Sequence, residues 1–320
     1  MHRFRLAIAI AALFCWGSVA VKAANGPKVV VSILPLHSLV SSVMAGIGEP
    51  ALLIPPQASP HRYALRPSQV RTVAEADILF WTGAEFETYL AKLVLGSKAK
   101  LVALGKQAGV VRLKARKGGV WEGHAHGALP SNQHDKSHDQ QGAKAVDIDQ
   151  HFWLDPFNAR AMAGGIVRGL VAVDPANASR YVTNGASLKR SLTALAKRIE
   201  GELTEVRGKS FIVFHDAYQY FEKRFIIPAS GSVLVHSGHA PSAKRLYQIR
   251  KKILDQKSIC VFREPQFDTK LADSLANGTG ARISTLDPVG TSLKPGPGAY
   301  VLLIQNLAAS LVDCLKKPMR

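Results

Sequence analysis

Short β-branched runs alternate with helical patterns along this chain. Lys28-Val29-Val30-Val31-Ser32-Ile33-Leu34 opens the series, and Ser38 to Ala45 follows as a helix. Ala51-Leu52-Leu53-Ile54 stops at Pro55-Pro56, after which Pro67 to Ala76 reads as helical. Asp77-Ile78-Leu79-Phe80-Trp81 and Lys100-Leu101-Val102-Ala103-Leu104 complete a first set of strands. Strands alternating with helical segments predict βα units and a parallel sheet. Residues 116–147 interrupt the pattern with Gly, His, Asp, Gln, Ser and Lys, a composition too polar to form a packed element. Order resumes at His151-Phe152-Trp153-Leu154-Asp155-Pro156.

The period then changes. From Pro175 to Val206, Tyr181, Leu188, Leu192, Leu195, Ile199 and Leu203 recur at three- and four-residue steps, the pattern of a long, partly buried helix. Asp174 stands where a cap belongs and Pro175 at the first helical position. Such a rod would measure about 45 Å, long enough to join two lobes. Beyond it the βα alternation restarts. Phe211 to Phe214, Ser232 to Val235, Ser258 to Phe262 and Arg282 to Thr285 are the strand candidates, with helices over Pro241 to Leu254, Asp268 to Ala276 and Ala299 to Leu315. The expected fold class is α/β, with two lobes, each a parallel sheet flanked by helices, joined by one long rigid helix. The expected boundaries are residues 24–173 for the N-terminal lobe, with 116–147 as its flexible His-rich insertion, 174–206 for the linking helix and 207–320 for the C-terminal lobe.

Residues 1–23 read as an export signal. Arg3 and Arg5 precede a short apolar run from Leu6 to Phe14, and Val21-Lys22-Ala23 supplies small residues for cleavage. No later stretch is apolar for the roughly 18 residues a membrane span needs. Cys15 comes at the end of the apolar run and lacks the small residues that precede a lipoprotein cysteine. Export also decides how the cysteines are read. Loss of Cys15 leaves Cys260 and Cys314, which in an oxidising compartment read as a disulfide, two buried thiols being the competing reading.

The formal charge of +18 falls by three when Arg3, Arg5 and Lys22 leave with the signal. A balance this basic raises nucleic acid as a partner. The lysines and arginines are dispersed, however, and no nucleic-acid-binding motif accompanies them, so no nucleic-acid partner is expected.

Candidate chemistry rests on the 11 histidines. His124, His126, His134 and His138 crowd the polar insertion, whereas His61, His151 and His215 stand alone beside strand ends or turns. Asp287 follows the last strand candidate in the same manner as His215 follows Phe211 to Phe214. Ligands of open α/β sheets bind beyond the carboxyl ends of the strands. Three imidazoles with a carboxylate or water suit Zn²⁺, and the set lacks the oxygen-rich shell that Ca²⁺ or Mg²⁺ prefers. An isolated histidine is more often a satisfied core or surface residue, so the residues alone leave both readings standing.

The ordered motifs add a resemblance. Leu34-Pro35, Ser59-Pro60-His61 followed by Tyr63, Leu65-Arg66-Pro67-Ser68, His151-Phe152-Trp153-Leu154-Asp155-Pro156, Phe214-His215-Asp216-Ala217-Tyr218, Glu264-Pro265-Gln266-Phe267 and Leu286-Asp287-Pro288-Val289-Gly290 span the mature chain. Together they resemble the cluster A-I solute-binding proteins of metal ABC importers. The histidine-rich insertion and the Cys260/Cys314 pair resemble that family's zinc-selective branch. The resemblance implies a monomeric periplasmic protein that binds Zn²⁺ between its lobes and hands it to a membrane permease driven by a cytoplasmic ATPase. His61, His151 and His215 match the family's metal-binding histidines, and Asp287 its acidic position. The insertion's His124, His126, His134 and His138 would supply auxiliary, weaker metal binding. Arg62 departs from the Asp or Thr common after the first histidine and places a cation beside the site.

Two other functions compete. A manganese or iron binder, or a surface adhesin, of the same family would share the fold. An exported zinc hydrolase would use Glu264 or Asp216 as a base, but the chain carries no HExxH, GxSxG or P-loop pattern, and no enzyme is expected.

Overall fold

A computed structural model describes residues 26–61, 63–116, 121, 148–234 and 241–317. The signal segment, Arg62 and the four clustered histidines fall outside the described residues.

The N-terminal lobe is built on β1 (Val29–Val31), α1 (Leu34–Val43), β2 (Ala51–Leu52), α2 (Pro67–Ala74), β3 (Ile78–Trp81), α3 (Thr88–Val94), β4 (Lys100–Ala103) and α4 (Pro156–Val173). After α5 (Ala178–Leu203), the second lobe follows with β5 (Phe211–Val213), α6 (Gln219–Phe225), β6 (Gly231–Ser232), α7 (Ala243–Asp255), β7 (Cys260–Arg263), α8 (Lys270–Ala276), β8 (Arg282–Thr285) and α9 (Ala299–Lys316). Among the described residues each lobe has a four-stranded sheet, in the orders β2-β1-β3-β4 and β6-β5-β7-β8, and every strand pair is parallel. The apolar runs Val29–Val31, Ile78–Trp81 and Phe211–Val213 are buried along their whole length, as strands covered on both faces must be.

Several boundaries differ from the expectation for local reasons. Helix α1 begins at Leu34 rather than Ser38, because Pro35 occupies its first turn, where the missing N–H costs nothing. The long helix has 26 residues, about 39 Å, and is preceded by a 3₁₀ turn at Pro175–Asn177. Asp174 does not cap it by a side-chain bond; its Oδ2 accepts instead from Asn177 Nδ2 and the Tyr181 hydroxyl, both at 2.8 Å. Helix α4 escaped the sequence reading because Gly164, Gly165 and Gly169 resemble breakers. A Cβ on Gly169 would lie 3.0 Å from Ile78 and Phe80, so the missing side chain is what lets α4 lie close against β3. Asp155 caps this helix by accepting from Phe157 N at 2.8 Å.

Helix α5 packs against α4 and α1 of the N-terminal lobe and α9 of the second, and so joins the lobes. One buried apolar cluster runs from Val29 and Leu36 through Trp153, Leu192 and Ile199 to Phe262 and Leu311, crossing between them. Polar ties reinforce the junction. Trp153 Nε1 donates to Pro288 O at 2.8 Å, Tyr300 donates its hydroxyl to Trp153 O at 2.7 Å, and Arg224 meets Asp155 through two contacts of 2.7 Å. In the second lobe a disulfide joins Cys260 of β7 to Cys314 of α9, with the Cα atoms 6.3 Å apart. Helix α9 is long and apolar enough by composition to cross a membrane, but Leu303, Ile304, Leu307, Leu311 and Leu315 are buried in the core.

Candidate metal site

Three of the four isolated candidates meet. His61 lies in the loop after β2, His151 immediately before the 3₁₀ turn Phe152–Leu154, and His215 just beyond the carboxyl end of β5. His151 Nε2 stands 3.4 Å from His61 Nε2 and 3.4 Å from His215 Nε2. One ring nitrogen from each histidine falls within a 4.8 Å cluster, and among the described residues no other group of His, Cys, Asp and Glu does this. His151 and His215 are each 1% exposed, whereas His61 is partly open to solvent. The cluster faces a narrow cleft walled by Pro60, Trp153, Gln266, Phe267, Pro288 and Val289, residues drawn from both lobes.

Two carboxylates orient the buried rings. Asp149 Oδ1 accepts from the backbone N of His151 at 3.0 Å and lies 2.8 Å from its Nδ1. Glu264 Oε1 lies 2.7 Å from His215 Nδ1. A carboxylate accepts, so each Nδ1 carries the proton and each Nε2 turns a lone pair toward the centre. Burial opposes a charge on His215, but Glu264, Asp216 and Asp149 outweigh it, and the ring's pKa lies above its ordinary value. Lone pairs aimed at one another repel unless a cation or a proton lies between them. Two nitrogens bound to one tetrahedral Zn²⁺ at about 2.0–2.1 Å lie about 3.3–3.4 Å apart, the separation found here. The donor set therefore fits a soft-to-borderline divalent cation and offers a hard one little.

Asp287 is not in this cluster. Its Oδ1 accepts from Gln266 Nε2 and the backbone of Val289 and Gly290 at 2.9–3.1 Å, and its Oδ2 from the backbone and hydroxyl of Thr291. The carboxylate shapes the loop after β8. Sequence reasoning missed Asp149 altogether and weighed Glu264 only as a base. The signals were present: an acid two residues before His151, and the acid opening Glu264-Pro265-Gln266-Phe267 after a strand.

Two α/β lobes of equal strand order, bridged by one long helix around a histidine cluster, are the architecture of a cluster A-I solute-binding protein. A family model described as ZnuA, zinc-uptake complex component A periplasmic, matches residues 29–314, and the chain belongs to that family. The high-affinity zinc uptake system protein ZnuA of Brucella suis biovar 1 is 43% identical over 334 aligned positions, covering 99% of both chains. Its namesake in Yersinia pestis is 34% identical, over 90% of this chain and 91% of that one. Among solved structures, one titled as the crystal structure of ZnuA superposes with a TM-score of 0.75 at 23% identity, over 91% of this chain and all of the other, a likeness of fold.

Proposed function

We propose that this protein captures Zn²⁺ in the periplasm and delivers it to the membrane permease of an ABC importer powered by a cytoplasmic ATPase. The observation that carries the reading is the convergence of His61, His151 and His215 with the Nδ1 atoms of two rings held by carboxylates. The names of the relatives, zinc uptake proteins over their full length, point the same way. His61, His151 and His215 are the ligands. Asp287 is committed to its loop, so water from the cleft takes the fourth position. His124, His126, His134 and His138 supply weaker, auxiliary sites. The domain division follows the sequence boundaries, with residues 174–206 joining lobes 24–173 and 207–320. The protein acts as a monomer that binds and releases its cargo; it catalyses nothing.

A manganese or iron cargo is the second reading. It would draw on carboxylate oxygen, but Asp149 and Glu264 each direct an oxygen to a histidine Nδ1 and Asp287 is engaged elsewhere. Imidazole donors favour zinc. Competitive zinc titration of the metal-stripped protein, beside a His61→Ala, His151→Ala, His215→Ala variant, tests the proposal. One tight site lost in the variant, with weaker sites retained, is expected. Tight binding that survives the triple change would place the metal elsewhere.

A further inference from the structure

The two buried histidines of the cluster are each supported from the opposite lobe. Arg116, in the N-terminal lobe, reaches across to two acids of the second lobe. Its Nε donates to both oxygens of Asp216 at 3.0 and 2.9 Å, while Nη1 and Nη2 donate to Glu222 at 2.7 and 3.1 Å. Asp216 follows His215 directly in the chain, and both acids are buried. The Trp121 ring packs on the guanidinium, whose carbon lies 3.4 Å from the ring centroid.

The reverse tie comes from Tyr220 of α6. Its buried hydroxyl accepts from Leu113 N at 2.8 Å and donates to Asp149 O at 2.7 Å. Asp149 is the residue whose carboxylate holds His151. Asp149 N in turn donates to Leu113 O at 2.9 Å, and Lys114 pairs with Ile148 in an antiparallel bridge. The hydroxyl thus closes a small ring of backbone bonds onto the segment that carries His151.

We propose that Arg116 and Tyr220 form a reciprocal clasp, positioning residues that set the zinc affinity of the triad by fixing each buried histidine from the lobe opposite its own. The inference rests on His61, His151 and His215 being the zinc site. The Nε2 separations depend on where the lobes sit, and tetrahedral coordination tolerates only a few tenths of an ångström of error. Asp216 and Glu222 would repel each other without a cation between them. A planar fork with donors on several edges satisfies both, which a lysine's single ammonium cannot do. The Arg224–Asp155 pair also crosses between the lobes, yet it supports neither histidine, and it serves as the comparison.

The test uses metal-stripped mature protein carrying Tyr220→Phe, Arg116→Gln, Arg116→Lys or Arg224→Gln, with the triple histidine variant alongside. Zinc affinity by chelator competition, the visible spectrum of the Co²⁺ form and the melting temperature of the metal-free form are read for each. Tyr220→Phe should weaken zinc binding about 10-fold and Arg116→Gln about 10–100-fold, each with altered Co²⁺ bands. Arg116→Lys should fail to restore either, and Arg224→Gln should lower only the melting temperature. If Arg116→Gln does not fold, Tyr220→Phe, which deletes one oxygen, carries the test. Wild-type affinity and spectrum in Tyr220→Phe and Arg116→Gln would overturn the clasp, as would affinity losses that merely follow melting temperature through Arg224→Gln. Tight binding retained by the triple histidine variant would overturn the site assignment and the clasp with it. Loss of binding there, beside unchanged binding in the clasp variants, would overturn the clasp alone.

Discussion

His215 Nδ1 and Glu264 Oε1 lie 2.7 Å apart with both side chains buried, 49 residues apart in the chain. The contact fixes which ring nitrogen faces the cleft. Glu264→Gln keeps the shape but replaces an anion that strengthens the ring's donor nitrogen with a neutral amide. Zinc affinity should fall about 10–100-fold with little change in the fold. Chelator competition together with a circular-dichroism spectrum checks this; unchanged affinity would show that the carboxylate does not tune the ligand.

Glu87 is a buried carboxyl of the N-terminal lobe whose ionisation bears on stability. It is fully buried, and burial pushes its pKa up to about 7 against the hydrogen bonds from the Thr82 backbone and hydroxyl that favour the anion. The unfolded chain gives up this proton near 4.5, so between there and about 7 the folded state holds a proton the unfolded state has lost. Stability from this group is therefore complete below the lower value and declines as pH rises through the window, by roughly 3 kcal/mol in all. Glu87→Gln should raise the melting temperature at pH 8 and leave it nearly unchanged at pH 4. A gain that does not depend on pH would rule out ionisation as the cause.

The Cys260–Cys314 disulfide closes a loop spanning 54 residues. In the chain-entropy treatment such a closure contributes about 4 kcal/mol. The Cys260→Ala, Cys314→Ala protein should melt well below the oxidised wild type, and reductant should shift the wild type alone. Equal melting curves with and without reductant would remove the disulfide from the stability of the second lobe.

Trp153 binds the lobes through its indole N–H to Pro288 O at 2.8 Å. Trp153→Phe leaves that carbonyl without its donor and opens space in the shared core. A loss of about 2–4 kcal/mol is expected, seen as a lower urea midpoint with an unchanged slope. A lower slope would mean that the lobes had ceased to unfold together.

The strands Val29–Val31, Ile78–Trp81 and Phe211–Val213 were legible because buried parallel strands are written as continuous apolar runs, and the long helix because Leu188, Leu192, Leu195, Ile199 and Leu203 keep its period. Helix α4 was not, since Gly165 and Gly169 serve packing against neighbours that no local pattern announces. His61, His151 and His215 could be singled out by their isolation at strand ends. Asp287 looked equivalent to His215 by position, but its loop turns both oxygens back onto its own backbone and hydroxyl donors. Position after a strand is written locally, whereas the direction of a side chain there depends on how the turn closes.

The sequence by itself determined the α/β alternation and the helix that joins two lobes, because each rests on residue type and short-range period, and it singled out the cysteine pair and the three histidines as candidates. Only the tertiary structure decided which acids orient the rings, that Asp287 stays out of the cluster, and that Arg116 and Tyr220 cross between lobes to their partners. The contacts of Glu264, Arg116 and Tyr220 join residues from 49 to more than 100 positions apart. Their geometry follows from the packing of two sheets and a shared core, which fixes distances that no spacing along the chain contains.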